Sequence, residues 1–285
     1  MVVKKVTIQD VLRLSLIIGI LLFTIFPIYW MIVTSLKPTD MIMTYPPVFR
    51  FDLTFDHYRY VFENADFLYY IKNTLIATIG SVLIVIVCGT LASYSFARYN
   101  VGRGTLMYFI LSTRMMPAIA VVLPFFIIFR TIGSTDLGQF LQLGQDKIGT
   151  LIICYTIFNL PFAIWLMLSF FQNIPTELED SARLDGYTRF KVFRKIVLPL
   201  AAPGIAVAAI FSLLFSWNEF LFASVLTRSI AKTITVGVGD FWTTNGILWG
   251  PLSAAATVCV LPMLVFALIL QRWIVRGLSF GSVRG

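Results

Sequence analysis

The sequence predicts an all-α integral membrane protein with six transmembrane helices and both termini in the cytoplasm. Three observations carry that expectation. Hydrophobic residues make up 58% of the 285 positions and charged residues only 13%, with a mean hydropathy of +0.86, more apolar surface than a soluble core can hide. The apolar residues gather into six stretches, each near the ~20 residues a helix needs to cross a bilayer. Lys and Arg are spread unevenly between the segments that separate those stretches.

The first stretch, residues 11–35 (VLRLSLIIGILLFTIFPIYWMIVTS), would extend roughly 37 Å as a helix. It is too long for a signal-peptide core and lacks a small-residue cleavage site, so it is expected to be retained. Residues 36–71 read as a polar, aromatic-rich outer loop. Further spans are expected at about 73–97, 105–129, 148–171, 201–226 and 251–271. With both ends inside, the inner segments hold Lys4, Lys5, Arg13, Arg98, Arg103, Arg183, Arg189, Lys191, Arg194, Lys195, Arg272, Arg276 and Arg284 against Asp10, Glu177, Glu179, Asp180 and Asp185. Bases and acids balance in the outer segments, so the formal net charge of +8 lies wholly on the inner side. Topology therefore explains the basic pI, and no nucleic-acid partner is expected.

No catalytic set is visible. Cys88, Cys154 and Cys259 fall singly inside apolar segments, which argues against a disulfide framework or metal site. His57, the only histidine, lies in the outer loop without metal-ligand spacing. No G-x-x-x-x-G-K-[ST] occurs, so the chain has no P-loop with which to hold ATP.

Residues 172–199 (QNIPTELEDSARLDGYTRFKVFRKIVLP) interrupt the apolar pattern. Pro175 ends the preceding helix, and Thr176 with Glu179 three residues on reads as a capping box. Glu177, Glu179 and Asp180 suit the positive end of a short helix, and Leu178 and Ala182 give it an apolar face. Asp185-Gly186 marks a turn, after which Thr188 can cap a second helix with Phe190, Phe193 and Val197 on one face.

Two ionisable residues, Arg114 and Glu219, fall inside spans, where each costs a few kcal/mol if it faces lipid. Opposite charge allows a mutual pair. Together with Asn159, Trp217 and Asn218 they offer hydrogen-bond partners and an aromatic face suited to a sugar ring. The alternative is that these groups satisfy one another, or a partner subunit, as polar glue between helices.

Residues 180–199 resemble the EAA loop of permease subunits of bacterial ABC importers, E-A-A-x-x-x-G followed by I-x-L-P. Gly186, Ile196, Leu198 and Pro199 match, as does Asp185 before the glycine, while Asp180 stands for Glu and Ser181 for the first Ala. The end, QRWIVRGLSFGSVRG, resembles the tail of the second permease of maltose-type carbohydrate importers, through Gln271, Arg272, Trp273, Val275, Gly277, Leu278, Gly281, Val283 and Gly285. SWNEFLFASVLT and LPFAIWLM are similar to the same group.

The resemblance implies a type I ABC importer permease fold in the bacterial cytoplasmic membrane, moving a sugar or sugar alcohol. Residues 1–69 would form an N-terminal segment with the first span, 70–271 the permease core, and 272–285 a cytoplasmic tail. Leu178, Glu179, Asp180, Ser181, Ala182, Asp185 and Gly186 would couple to the ATPase, and Gln271, Arg272, Gly277 and Gly281 would reach its interface. Implied partners are a second, different permease, two ATPase subunits that carry ATP and Mg, an extracytoplasmic solute-binding protein and membrane lipid. This chain would hold no cofactor and catalyse no reaction itself. An ion-coupled secondary transporter subunit and an ABC permease for a non-carbohydrate solute are the rival readings; the QRW tail disfavours amino acids and peptides.

Overall fold

The structure, a computed structural model, describes residues 7–99 and 101–279, with side chains through residue 268 except at position 103. It is overwhelmingly helical. Among the described residues, five helices are long and apolar enough to cross a membrane, and a bent helix pair supplies a sixth if counted as one span. The chain forms two compact units.

One unit holds the chain up to Phe67 together with Val238–Pro262. Its helix α1 (Ile8–Ser35) opens on a reciprocal cap: the Thr7 hydroxyl accepts from the Asp10 amide, and the Asp10 carboxylate accepts from the Thr7 amide. Leu22, Phe23 and most other apolar side chains of α1 are exposed, as suits a helix solvated by lipid. Two short helices follow, α2 (Thr39–Ile42) and α3 (Asp56–Asn64). Between α1 and α2, Lys37 is buried, with its ammonium 5.3 Å from the Trp30 ring centre and 5.2 Å from that of Phe51, so aromatic faces replace water around the charge. The buried His57 ring places Nε2 2.9 Å from the Lys37 carbonyl oxygen. Gly250 lies so close to that ring that a Cβ there would stand 2.2 Å from Cε1. A small hairpin pairs β1 (Trp242–Thr243) with β2 (Gly246–Ile247), Trp242 opposite Ile247.

The second unit runs Leu68–Gly237 and resumes at Met263. Its first long helix is α4 (Phe67–Tyr99). The third span differs from the straight helix expected: α5 (Thr105–Thr113) and α6 (Ala118–Gly133) meet at 87°. Pro117 has no N–H to continue the ladder and keeps Met116 from helical geometry, so the chain turns between them. After the short α7 (Asp136–Phe140) comes α8 (Ile148–Gln172), close to its expected bounds.

The interruption that follows contains α9 (Glu177–Leu184) and α10 (Arg189–Val192). The second helix does not stop before the fifth span. It passes through a π-helical turn, Phe193–Val197, straight into α11 (Leu198–Trp217). Pro199 offers no N–H to the Lys195 carbonyl, and the turn before it widens so that the Leu198 amide reaches the Phe193 carbonyl. The fifth span also ends earlier than expected, at Trp217, before a separate α12 (Leu221–Leu226). A short α13 (Ile234–Gly237) precedes α14 (Trp249–Ser279).

Helices α4, α8 and α11 pack where small residues let backbones close up. A Cβ on Gly89 would meet the Met167 methyl at 2.7 Å, and one on Gly204 the Phe170 ring at 2.3 Å. A buried polar ladder crosses the same three helices: Asn159 Nδ2 donates to Ser216 Oγ at 2.9 Å, and Ser216 Oγ lies 3.0 Å from Ser81 Oγ. Around one end of the helices Val85, Met167, Phe171, Val192 and Val197 form an apolar cluster. A second cluster joins Val122, Phe129, Leu151 and Phe222.

Candidate coupling site

Helix α9 is short, and most of its hold comes from what it packs against rather than from intrinsic helicity. It begins after Pro175 and ends at Asp185, where Gly186 adopts φ 84° and turns the chain back. That left-handed backbone suits glycine; nothing lies within 4 Å of a Cβ there, so the requirement is conformational and not steric. Thr188 caps α10 as expected, accepting from the Lys191 amide at 3.4 Å.

The capping box at the start of α9 does not form. Thr176 sits in right-handed helical geometry and makes no side-chain cap, and the Glu179 carboxylate is engaged elsewhere. Its Oε1 accepts from Arg98 Nε at 2.5 Å and its Oε2 from the Tyr94 hydroxyl at 2.7 Å. A second Arg98 nitrogen, Nη2, donates to the Ile174 carbonyl at 2.8 Å. The paired side chains are only 9% and 11% exposed. Tyr94 stands among other rings, 5.8 Å from Phe171 and 4.8 Å from Phe193. Sequence reading placed Arg98 as one more basic residue beside a span; the partner 81 positions away is invisible to local pattern.

The apolar pair read as one outward face is split. Ala182 is 7% exposed and belongs to the buried cluster, while Leu178 is 45% exposed. Asp180, Ser181 and Asp185 face outward with Leu178, and Glu179 faces inward with Ala182. The larger exposed apolar groups are Leu184, at 90%, and Phe190, at 70%, which sequence reading did not single out as a pair. Phe190 also departs from its expected face-mate Val197, which is fully buried. Arg183 and Arg189 border these groups, and with Tyr94, Arg98, Thr176 and Glu179 they line a pocket of about 190 Å³.

The five residues considered for a solute path are distributed over different contacts. Arg114 ends α5 at the bend, donating through Nη1 to the Phe158 carbonyl at 2.5 Å, with its guanidinium 4.7 Å from the Phe215 ring centre and 5.3 Å from that of Phe162. Glu219 accepts from the Phe222 and Ala223 amides at 2.7 and 3.1 Å, satisfying donors that open α12. Among the described residues no ion pair joins Arg114 to Glu219. Asn159 is buried in the polar ladder, Trp217 is buried, and the exposed Asn218 donates to the Leu214 carbonyl at 2.8 Å. Gln271, Arg272 and Gly277 lie in the backbone of α14 without described side chains, and Gly281 lies outside the described residues.

One site had no signal in the sequence. Asp146, just before α8, accepts four consecutive amides of the loop after α12: Arg228 at 2.9 Å, Ser229 at 3.1 Å, Ile230 at 2.9 Å and Ala231 at 2.9 Å. Burial alone would raise its pKa, but the four donors outweigh it and hold the carboxyl down to about 2. Asn73 of α4 grips the same loop, donating to the Ile230 and Lys232 carbonyls at 2.8 and 3.0 Å.

Comparison with known proteins agrees with this architecture. Residues 85–280 match the family described as binding-protein-dependent transport system inner membrane component. The chain is 35% identical to the trehalose transport system permease protein SugB of Mycobacterium tuberculosis, over 95% of each chain. It is 33% identical to the diacetylchitobiose uptake system permease protein DasC of Streptomyces coelicolor, over 92% of each. Its fold superposes with TM-score 0.78 on a chain of a bacterial ABC transporter that imports the acidic polysaccharide alginate, covering 94% of this chain and 99% of that one at 20% identity. The chain therefore belongs to the binding-protein-dependent inner membrane components, the multi-pass permease subunits of ABC importers.

Proposed function

We propose that this permease admits a sugar or sugar-derived solute, delivered by an extracytoplasmic binding protein, and that ATP hydrolysed on two separate subunits drives the passage. A second, different permease completes the pathway, and both termini of this chain lie in the cytoplasm. ATP and Mg belong to the ATPase subunits. Relatives named for trehalose and diacetylchitobiose support the solute class.

The observation that carries the coupling reading is the outward surface of the α9 region. Leu178, Leu184 and Phe190 are exposed large apolar groups, bordered by Asp180, Arg183 and Arg189. Covering one such side chain with a partner contributes about 1.5–3 kcal/mol, and flanking charges fix the register of contact. The ATPase closes when it binds nucleotide, and α9 carries that displacement into the helices, shifting the balance between inward and outward access.

Affinity purification of this chain from its host, paired with uptake of labelled trehalose and diacetylchitobiose, tests the proposal. The expected result is a co-purifying ATPase and uptake of at least one of the two sugars that stops when ATP is depleted with arsenate. Uptake that persists under arsenate and collapses with a protonophore would overturn ATP coupling in favour of ion coupling. Uptake of neither sugar, with the ATPase present, would overturn the solute class alone.

A further inference from the structure

α9 is joined in sequence to α8 and to the helix running from Arg189 to Trp217, but both joints are breaks. Pro175 interrupts the first and the left-handed Gly186 the second. Displacement of α9 can be lost at such joints. α4 is not adjacent to α9 along the chain, and the two meet through Glu179, Arg98 and Tyr94.

The chemistry of that meeting is rigid. Arg98 lies one residue from the C-terminal end of α4 and Glu179 in the first turn of α9, so each charge sits where its helix dipole favours it. The pair is nearly dry, and Arg98 holds the Ile174 carbonyl at the same time, pinning the connection from α8. Tyr94 adds a second bond to the carboxylate while its ring packs on Phe171 and Phe193, one residue of α4 thus touching three other segments. A buried pair with directed hydrogen bonds resists sliding in a way that apolar contacts alone do not.

At its other end α4 grips the loop after α12. Asn73 donates to the Ile230 and Lys232 carbonyls, and the Thr74 hydroxyl accepts from the Ile234 amide at 3.0 Å. Within α4, the stretch from Asn73 to Arg98 is a rod of roughly 37 Å between the two attachments.

We infer that Arg98 and Tyr94 are positioning residues that lock α9 to α4, making α4 a third helix through which a push on α9 is transmitted to the far side of the permease. The inference rests on the reading of α9 as the element that meets the ATPase.

The test is hydrogen exchange on the intact transporter, purified through this chain and placed in lipid nanodiscs, with and without Mg-ATP and vanadate. In the wild type, nucleotide trapping is expected to change exchange in both residues 177–184 and residues 90–99. In Arg98→Gln the response at 177–184 persists and the response at 90–99 falls by about tenfold. Tyr94→Phe, which removes one bond and keeps the ring, gives a smaller loss, and guards against a folding failure of the arginine variant. The exchanged pair Arg98→Glu with Glu179→Arg recovers part of the response that either single change abolishes, which a general loosening of the fold would not do. An unaltered response at 90–99 in Arg98→Gln, or no recovery in the exchanged pair, overturns the lock. No nucleotide response at 177–184 in the wild type overturns the ATPase-contact reading itself, and the lock with it.

Discussion

Replacing Asp146 with asparagine removes the charge from a carboxylate that accepts four backbone amides of residues 228–231. Burial pushes this group's pKa upward, yet the amides bring it from 3.8 to about 2. At full value that difference is worth roughly 2 kcal/mol, and solvent access to the loop reduces it to about 1 kcal/mol. Asparagine also turns an NH2 toward amide donors, so the net cost at neutral pH is about 1–2 kcal/mol. Because the folded pKa is depressed, the stabilisation is complete above the ordinary aspartate value and is lost as pH falls toward about 2. Hydrogen exchange at the Ile230 and Ala231 amides is the direct assay. The variant is expected to exchange about 5- to 30-fold faster than the wild type at pH 7, with the ratio shrinking progressively as pH falls below about 4. Equal exchange at pH 7, or a ratio that does not change with pH, would refute the assignment of the loop's order to this carboxylate.

Gly186→Val forces a β-branched residue to φ 84°, at a cost of about 1–3 kcal/mol, and should lower solute uptake more than ATP hydrolysis, read as moles of ATP per mole transported. Leu184→Ser combined with Phe190→Ser alters only exposed side chains; ATPase recovery on affinity purification should fall about tenfold or more while thermal stability of the isolated permease is unchanged. Glu219→Ala leaves the Phe222 and Ala223 amides without their acceptor and should cost about 1–3 kcal/mol of stability in thermal unfolding, with Glu219→Gln recovering part of it. Gly250→Ala places a methyl against the His57 ring and should destabilise by about 1–3 kcal/mol, seen as faster exchange in Asp56–Asn64.

Hydropathy and charge are properties of short windows, and what depends on them was legible in the residues. The apolar stretches, their helical character and the exposed amphipathic segment at 177–184 follow from composition and spacing, and the EAA-like and QRW patterns carry the resemblance to the family. Turn chemistry was legible too where one residue decides it, as at Gly186 and Thr188. What local spacing did not decide was which partner a polar side chain takes. Glu179 fits a capping box by spacing, but a buried guanidinium from α4 competes for the same carboxylate and wins. Arg114 and Glu219 invite pairing by charge, yet one lies between aromatic rings and a carbonyl and the other caps α12. The bend at Pro117 and the π turn before Pro199 arise because proline removes a donor, but their angle and extent depend on which helices pack beside them. Asp146 shows the limit most plainly: nothing in its neighbourhood along the chain differs from an ordinary loop, and its partners lie more than eighty residues away. Local physics sets which segments are helical and which lie in lipid, whereas a buried polar group takes whichever partner the fold brings within about 3 Å, and only the tertiary arrangement decides that.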